Sequence, residues 1–519
     1  MAAGGPADPV GRDRAHAARV VGSLVVALVA LAVLAGTASA FDTGPHFDIT
    51  EDVLRSEGFS DGAIATVQSA NFLVDFYEFI GNPALEYALD QTCRVPMLPV
   101  LTVADKQHFD DLHSTLEVAN QWDAMLAATK STAEAKRNAG DVFGLLALLG
   151  ASLHNVQDFY SHSNWADGGT TGPPLGRGPL AKYGSHPTWL SMDRADRMAL
   201  DVYTKCDRKA GPPGNLPACK RSHGDWDSKP DALNQDWAGR PHYRDAYVCA
   251  FFATRQWVRL FRDFVGQSGV WTSMQQWSAP PKRDRYYAER ISFYGGHWNG
   301  NGGPTGLDAF SSRTAGTTPA LLLNAVTTYM HGLCLTRGRS KMRKEIESLL
   351  LTWGAAPNRG AVQVTLPSAA PDSLQFAALQ VLRIHNVNAD DGFGGGDMDW
   401  YSKAQIGGQL YLSGLIDEHD NFDFKKSPYA PWTMIKEVAP VRSNVPIVFK
   451  LMELDYSEDD LVDINPSDGI SSLVFNYSLK TGKVDGSVTG SPTFTVQGRG
   501  DCDCARLDME LSSFTGSSR

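Results

Sequence analysis

An apolar run at 145–153, LLALLGASL, leads without a break into His154, Asp158 and His162, three metal-type side chains spaced four apart. Residues four apart on a helix differ by only about 40° around the axis, so the three share one stripe. Leu145, Leu148, Leu149, Leu153, Val156 and Phe159 are then free to pack the rest of the helix inward. A lone histidine there reads as a satisfied core side chain; three potential ligands at a strict interval point to metal. His154 and His162 lie about 12 Å apart along the axis, whereas zinc holds its nitrogens at about 2.1 Å. The two histidines therefore belong to different ions, with Asp158 on at least one of them. Ions about 4 Å apart suit phosphoester hydrolysis, where one activates water and another steadies the leaving oxygen.

A cluster needs further ligands. HFDD offers His108, RPHYRDAY offers His242 with Asp245, and FDTGPHFDIT offers His46. Asp75 stands inside the apolar run NFLVDFYEF. A carboxylate there is costly to bury unless paired or metal-bound; a cap or a surface turn is the other reading.

The 519 residues exceed one ordinary core and imply two folded units. Arg12, Arg14 and Arg19 precede VVGSLVVALVALAVLAG, and ASA at 38–40 reads as a cleavage site. Residues 1–40 are thus expected to be a signal peptide, with a membrane anchor as the rival reading, and the mature, secreted chain opens at Phe41. Losing three Arg and two Asp takes the net charge from −11 to −12, which removes the broad basic surface that nucleic acid binding uses. Export permits disulfides. Among seven cysteines, Cys206 with Cys219 is the first expected pair and Cys249 with Cys334 the second.

Residues 41–355 read as mainly helical. Asp48, with Glu51 three residues on, is expected to cap the first helix. Long helices are expected over 106–138, 141–160 and 242–265, and others over 319–335 and 340–353. A linker, 356–373, leads to 374–519, where short alternating runs at 374–387, 401–414, 445–455, 471–481 and 492–498 predict an antiparallel β-sandwich. Two acidic loops there, one holding Asp390, Asp391 and Asp399 and the other Asp455, Asp459, Asp460 and Asp463, carry the hard oxygen donors that calcium takes. GFGGG lacks the helix and Lys-Ser/Thr pair of a phosphate loop.

Together these motifs resemble the superfamily of zinc-dependent phospholipases C and single-strand-specific zinc nucleases. The resemblance implies one zinc on Asp75, His108, His154 and Asp158, a second on His162, His242 and Asp245, and a third on the Phe41 terminus, His46 and Asp158. It also implies a metal-activated water as nucleophile, with Asp75 beside it to take a proton and Asp158 at the centre of the catalytic cluster. Two positions depart from the family: Asp158 and His162 are four apart rather than six, and Ala246 stands where an acidic ligand is expected. LHNVQDFYSHSNW, HFDD and LNQDWAGRPHY are most similar to the Het-C proteins and to the helical domain of von Willebrand factor A domain-containing protein 7. DWYSKAQI and the acidic loops resemble the calcium- and phospholipid-binding sandwich first named in protein kinase C, with Asp391, Asp399, Asp455 and Asp460 as calcium ligands. Helical zinc domain followed by sandwich is the order of alpha-toxin-like phospholipases. The implied function is a secreted zinc phosphodiesterase acting on membrane phospholipid. The alternatives are a single-strand nuclease and a non-catalytic Het-C-like surface or adhesion protein with structural zinc.

Overall fold

The computed structural model describes residues 43–79, 108–168, 172–206, 242–266 and 269–278 of the helical part. In the C-terminal part it describes 372–389, 398, 400–413, 419–424, 432–439, 443–453, 460–467, 469–499 and 503–519, together with the scattered positions 220, 221, 233, 235, 345, 346, 348 and 349. Residues 1–40, the expected helix at 319–335, most of the linker and all of the expected helix at 340–353 except the helical positions 345, 346, 348 and 349 lie outside these.

The helical part is built around one central helix. In chain order the helices are α1 (Thr43–Ser56), α2 (Asp61–Phe79), α3 (Thr115–Asn138), α4 (Val142–His162), α5 (Arg194–Met198), α6 (Tyr243–Val265) and α7 (Gly269–Gln275). The Asp141 side chain caps α4 by accepting from the Gly144 N–H at 3.0 Å. Every residue of α4 from Gly144 to His162 is buried, because α2, α3 and α6 pack around it. Gly150 makes this possible: a Cβ there would lie 2.3 Å from the Val67 carbonyl and 2.6 Å from Ala70 Cβ on α2.

Two helix starts differ from the expectation. Asp48 is not a cap, since α1 already begins at Thr43 and places His46 in its first turn. The expected helix at 106–138 begins only at Thr115. Ser114 and Glu117 form a capping box there: the Ser114 hydroxyl accepts from the Glu117 N–H at 3.3 Å, and the Glu117 carboxylate takes the His113 N–H at 2.6 Å. That cap releases residues 108–111 as a turn.

The C-terminal part is an antiparallel β-sandwich, as expected. Its strands are β1 (Asp372–Asn386), β2 (Trp400–Ile406), β3 (Gln409–Leu412), β4 (Asn421–Asp423), β5 (Trp432–Val438), β6 (Asn444–Glu453), β7 (Asp460–Val462), β8 (Leu473–Ser478), β9 (Val484–Gly486), β10 (Thr493–Gln497) and β11 (Ala505–Ser518). One sheet runs β10-β11-β1-β4, with β5 also on β1; the other runs β3-β2-β6-β8-β9, with β7 on β6.

β1 explains how the two parts join. Successive side chains of a strand point to opposite faces. Leu374, Phe376 and Ala378 belong to the core shared with the helices, while Ala377, Leu379 and Val381 belong to the sandwich core. Phe376 meets the rings of Phe251 and Phe252 on α6 at 5.4 and 6.2 Å. The end of β11 is held by the helical part, where the His186 N–H donates to the Ser517 carbonyl at 2.8 Å.

A polar joint completes this contact. The Asp52 carboxylate on α1 accepts from the Lys436 ammonium of β5, and from the Tyr411 hydroxyl of β3 at 3.1 Å. Lys436 also donates to Gln409 Oε1 at 2.7 Å.

Candidate metal centre

Four elements bring side chains to one buried point. α1 supplies His46 and Thr50, one turn apart, and α2 supplies Asn71. The turn before α3 supplies His108. α4 supplies His154, Gln157 and Asp158, whose i, i+3 and i+4 spacing puts them on one face. His46, His108, His154 and Asp158 have no exposed surface.

Asp158 is the hub. Its Oδ1 lies 3.0 Å from His46 Nε2. Its Oδ2 lies 2.8 Å from His108 Nδ1 and 2.9 Å from His154 Nε2. His154 Nε2 and His108 Nδ1 are 3.1 Å apart, and the rings of His46 and His154 stack at 4.5 Å.

Hydrogen bonds around the hub assign the ring protons. Gln157 Nε2 donates to the hydroxyls of Thr50 and Thr254, each at 3.1 Å. Gln157 Oε1 therefore faces inward, where it accepts from Asn71 Nδ2 at 3.0 Å and from His46 Nδ1 at 2.6 Å. Asn71 Nδ2 also donates to Thr50 Oγ1 at 3.3 Å. Asn71 Oδ1 is left to accept from His154 Nδ1 at 3.1 Å. Both histidines thus carry their proton on Nδ1 when neutral and turn the Nε2 lone pair towards Asp158.

Lone pair then faces carboxylate at hydrogen-bond distance, an arrangement that a shared cation, whether a proton or a metal ion, makes favourable. Burial holds the His154 ring down to about 3, against the opposing pull of Asp158, so the ring is neutral at pH 7. Burial pushes the Asp158 carboxyl up, but His154, His108 and His46 outweigh it and hold the group well below its ordinary range. A carboxylate beside the neutral His154 ring leaves negative charge in a dry core, which is costly unless a positive charge offsets it.

The donors fit zinc. His nitrogen and Asp oxygen are its usual partners. His46, His154 and Asp158 offer ligand atoms all within 4.8 Å of one another. Tetrahedral bonds of about 2.0–2.1 Å separate neighbouring ligand atoms by roughly 3.3 Å, so an ion would draw the widest-spaced donors together by up to about 1.5 Å. The Nδ1 partners are the groups that commonly orient metal-binding histidines.

His162, two turns beyond His154, stands in a second buried group. Its Nδ1 lies 3.2 Å from the His108 carbonyl and 3.6 Å from Asp110 Oδ1. Lys205 Nζ lies 3.4 Å from Asp110 Oδ2. The backbone holds these groups in register: the Lys205 N–H donates to the His162 carbonyl at 2.8 Å, and the Asp111 N–H to the Lys205 carbonyl at 2.9 Å. The turn between His108 and Asp111 is strained, with Phe109 at φ 55° and Asp111 at φ 57°. The Phe109 ring is pinned by Trp122 at 5.2 Å and Phe159 at 5.4 Å. Packing thereby maintains a turn that aims His108 and Asp110 into neighbouring groups.

The remaining expected ligands lie elsewhere. His242 is exposed, in a left-handed conformation just before α6. Asp245 is also outside the buried cluster; its carboxylate is 3.5 Å from His186 Nε2. Burial pushes the Asp245 carboxyl up, but His186, His242 and Arg244 outweigh it and hold it low. Asp75 lies in α2, one turn after Asn71, with its side chain outside the described residues. Phe41, Asp391, Asp399 and Asp455 also lie outside them. Asp460 is exposed and opens β7 opposite Glu453.

The expected Cys249–Cys334 pair is corrected: Cys249 is a free, buried thiol, facing the Pro187 carbonyl at 3.7 Å from within α6. Cys206 and Cys504 are each disulfide-bonded, to cysteines outside the described residues.

Sequence reasoning missed Thr50, Asn71, Gln157 and Thr254, which orient the rings, and Asp110 and Lys205. Asn71 and Gln157 had a usable signal, since both are uncharged amides in runs that otherwise read as core. Lys205, in VYTKC, had none.

The family model for the VWA7 N-terminal domain matches residues 61–192, a segment that contains His108, His154, Asp158 and His162. The match is to the von Willebrand factor relative suggested by the motifs, not to zinc phospholipases C. No curated protein matches the chain. Among solved structures, the C2A domain of plant extended synaptotagmin 1 is similar at 13% identity and TM-score 0.19, over 27% of this chain and 95% of that one. Human GIVD cytosolic phospholipase A2 is similar at 12% identity and TM-score 0.18, over 28% and 18%. Alpha toxin from Clostridium absonum is similar at 13% identity and TM-score 0.12, over 92% and 98%. With all three scores below 0.5, these likenesses carry no argument.

Proposed function

We propose that the chain is a secreted, zinc-dependent phosphodiester hydrolase of phospholipase C type, docked on phospholipid membranes through its sandwich. The observation that carries the metal is the Asp158 carboxylate, faced by the Nε2 lone pairs of two histidines whose protons are committed elsewhere. Bound zinc supplies Lewis acidity, polarising a phosphodiester and acidifying water beside it.

This chain's own residues do the rest. Asp158 spans the donors, one oxygen towards His46 and the other towards His108 and His154. Gln157 and Asn71 fix the rings and their tautomers. Asp75, one turn from Asn71 on α2, is the proposed proton acceptor. The acidic loops of the sandwich are proposed to take calcium and bring the chain to lipid, and the mature acidic charge favours lipid over single-stranded nucleic acid as substrate. Among the described residues no helix is long and apolar enough to cross a membrane.

A second reading has its own support. The donor side chains have no exposed surface, which favours a closed, structural zinc in a non-catalytic surface protein, because catalytic zinc keeps an open position. The test uses protein beginning at Phe41. Zinc-loaded protein should hydrolyse phosphatidylcholine vesicles, lose activity with a chelator and leave single-stranded DNA intact. Bound zinc with no hydrolysis of either substrate selects the structural reading; vesicle binding indifferent to calcium removes the docking assignment.

A further inference from the structure

The second buried group raises a different question from the first: what balances its carboxylate. Asp110 is 4% exposed, and His162 and Lys205 have no exposed surface. Among the described residues neither Asp110 oxygen accepts a hydrogen bond; its contacts are the longer ones to His162 and Lys205, at 3.6 and 3.4 Å. The Asp110 carboxylate, the His162 ring and the main-chain oxygen of His108, groups of the type that hold divalent ions, thus gather around one small space, with the His162 Nδ1–H donating to the His108 oxygen at 3.2 Å. An ammonium group lies against it.

We infer that Lys205 is a built-in substitute for a metal ion at His162 and Asp110, so that this second position holds a fixed organic cation and takes no metal in the native chain. The chemistry differs from that of a metal. An ammonium supplies one positive charge and three donors but no Lewis acidity. It balances Asp110 without admitting water as a ligand.

The register of the strand-like segment supports this assignment. Ser163 and Thr204 form an antiparallel bridge, and Lys205 is tied by its own N–H to the His162 carbonyl and by its carbonyl to the Asp111 N–H. The lysine backbone is therefore fixed to His162 and to Asp111, the chain neighbour of Asp110. The four-residue gap between Asp158 and His162 has a role in the same arrangement. It keeps His162 on the α4 stripe, beside Asp110, while the sequence-expected partners His242 and Asp245 lie outside the cluster.

The inference takes its setting from the metal reading of Asp158, but it is tested by differences in metal content. The full chain and its variants are dialysed against zinc and assayed by elemental analysis, with circular dichroism to verify folding. Asp110→Asn should carry the same zinc content as the wild type. Lys205→Ala, which vacates the ammonium position, should carry one zinc equivalent more, and adding Asp110→Asn to it should remove that equivalent. Loss of one zinc in Asp110→Asn alone would overturn the inference, as would unchanged content in a folded Lys205→Ala. Should Lys205→Ala fail to fold, the zinc content of Asp110→Asn decides alone. A wild type without zinc would sink the Asp158 centre while leaving the extra equivalent in Lys205→Ala as an independent reading.

Discussion

His46 Nε2 and Asp158 Oδ1 lie 3.0 Å apart, although both atoms are hydrogen-bond acceptors once Gln157 has taken the His46 Nδ1 proton. A cation shared between them relieves that opposition. Asp158→Asn removes the charge and keeps the shape. It should lose the zinc of the first centre, and its melting temperature should stop responding to added zinc. At free zinc a thousandfold above Kd, the stabilisation forfeited is about 4 kcal/mol. Elemental analysis and thermal melts with and without zinc check both; a variant that keeps its zinc refutes the hub role.

Gln157 donates nothing to the proposed ion, yet it fixes His46. Gln157→Ala should leave the number of zinc ions unchanged and weaken their binding by about 10–100-fold. Competition with a coloured chelator measures this, and unaltered affinity would show that His46 is oriented by packing alone.

Gly150 lets α4 approach α2. Gly150→Ala puts a methyl 2.3 Å from the Val67 carbonyl, so the helices must part, at a cost of about 1–3 kcal/mol. Because Asn71 sits on α2 beside this contact, the same variant should also weaken zinc binding. Urea unfolding and zinc titration read the two effects separately.

Asp52 gives a pH signature. Burial, against the opposing influence of Lys436 and Tyr411, raises its carboxyl from 3.8 to about 6. The folded chain therefore holds this proton more tightly than the unfolded chain does. That contribution is complete below about pH 4 and is lost as pH rises through about 6, a span worth about 3 kcal/mol. Relative to Asp52→Asn, the wild type should gain stability as pH falls from 7 to 4. A difference that does not vary with pH would show that Asp52 titrates normally.

Much of this architecture was legible because single-residue periodicities carried it. The 3.6-residue pattern of α4 and α6 and the alternation in β2, β6 and β8 each report one buried face. β1 was also expected as a strand over 374–387, but its role in joining the two parts was not, since alternation does not show that both of its faces are buried. β11 is long, but its second half, SSFTGSS, is small and polar because it lies against the helical part, as at Gly516, where a Cβ would meet Val248 and Phe252. At the centre, the histidines and Asp158 stood out by spacing on one helix. Asn71 and Gln157 stood out less, as amides in core-like runs whose partners the sequence does not name. Lys205 was invisible for the same reason: its meaning comes from Asp110, almost a hundred residues away.

α1 presents His46 to the buried carboxylate and Asp52 to Lys436 and Tyr411 on β5 and β3. Cutting the chain after the helices would not release a self-sufficient unit. It would strip Asp52 of two partners and uncover Phe376's place on α6, loosening the helix that carries His46. The helices and the sandwich should consequently melt in one calorimetric transition, and zinc added to one should be felt as heat resistance by the other.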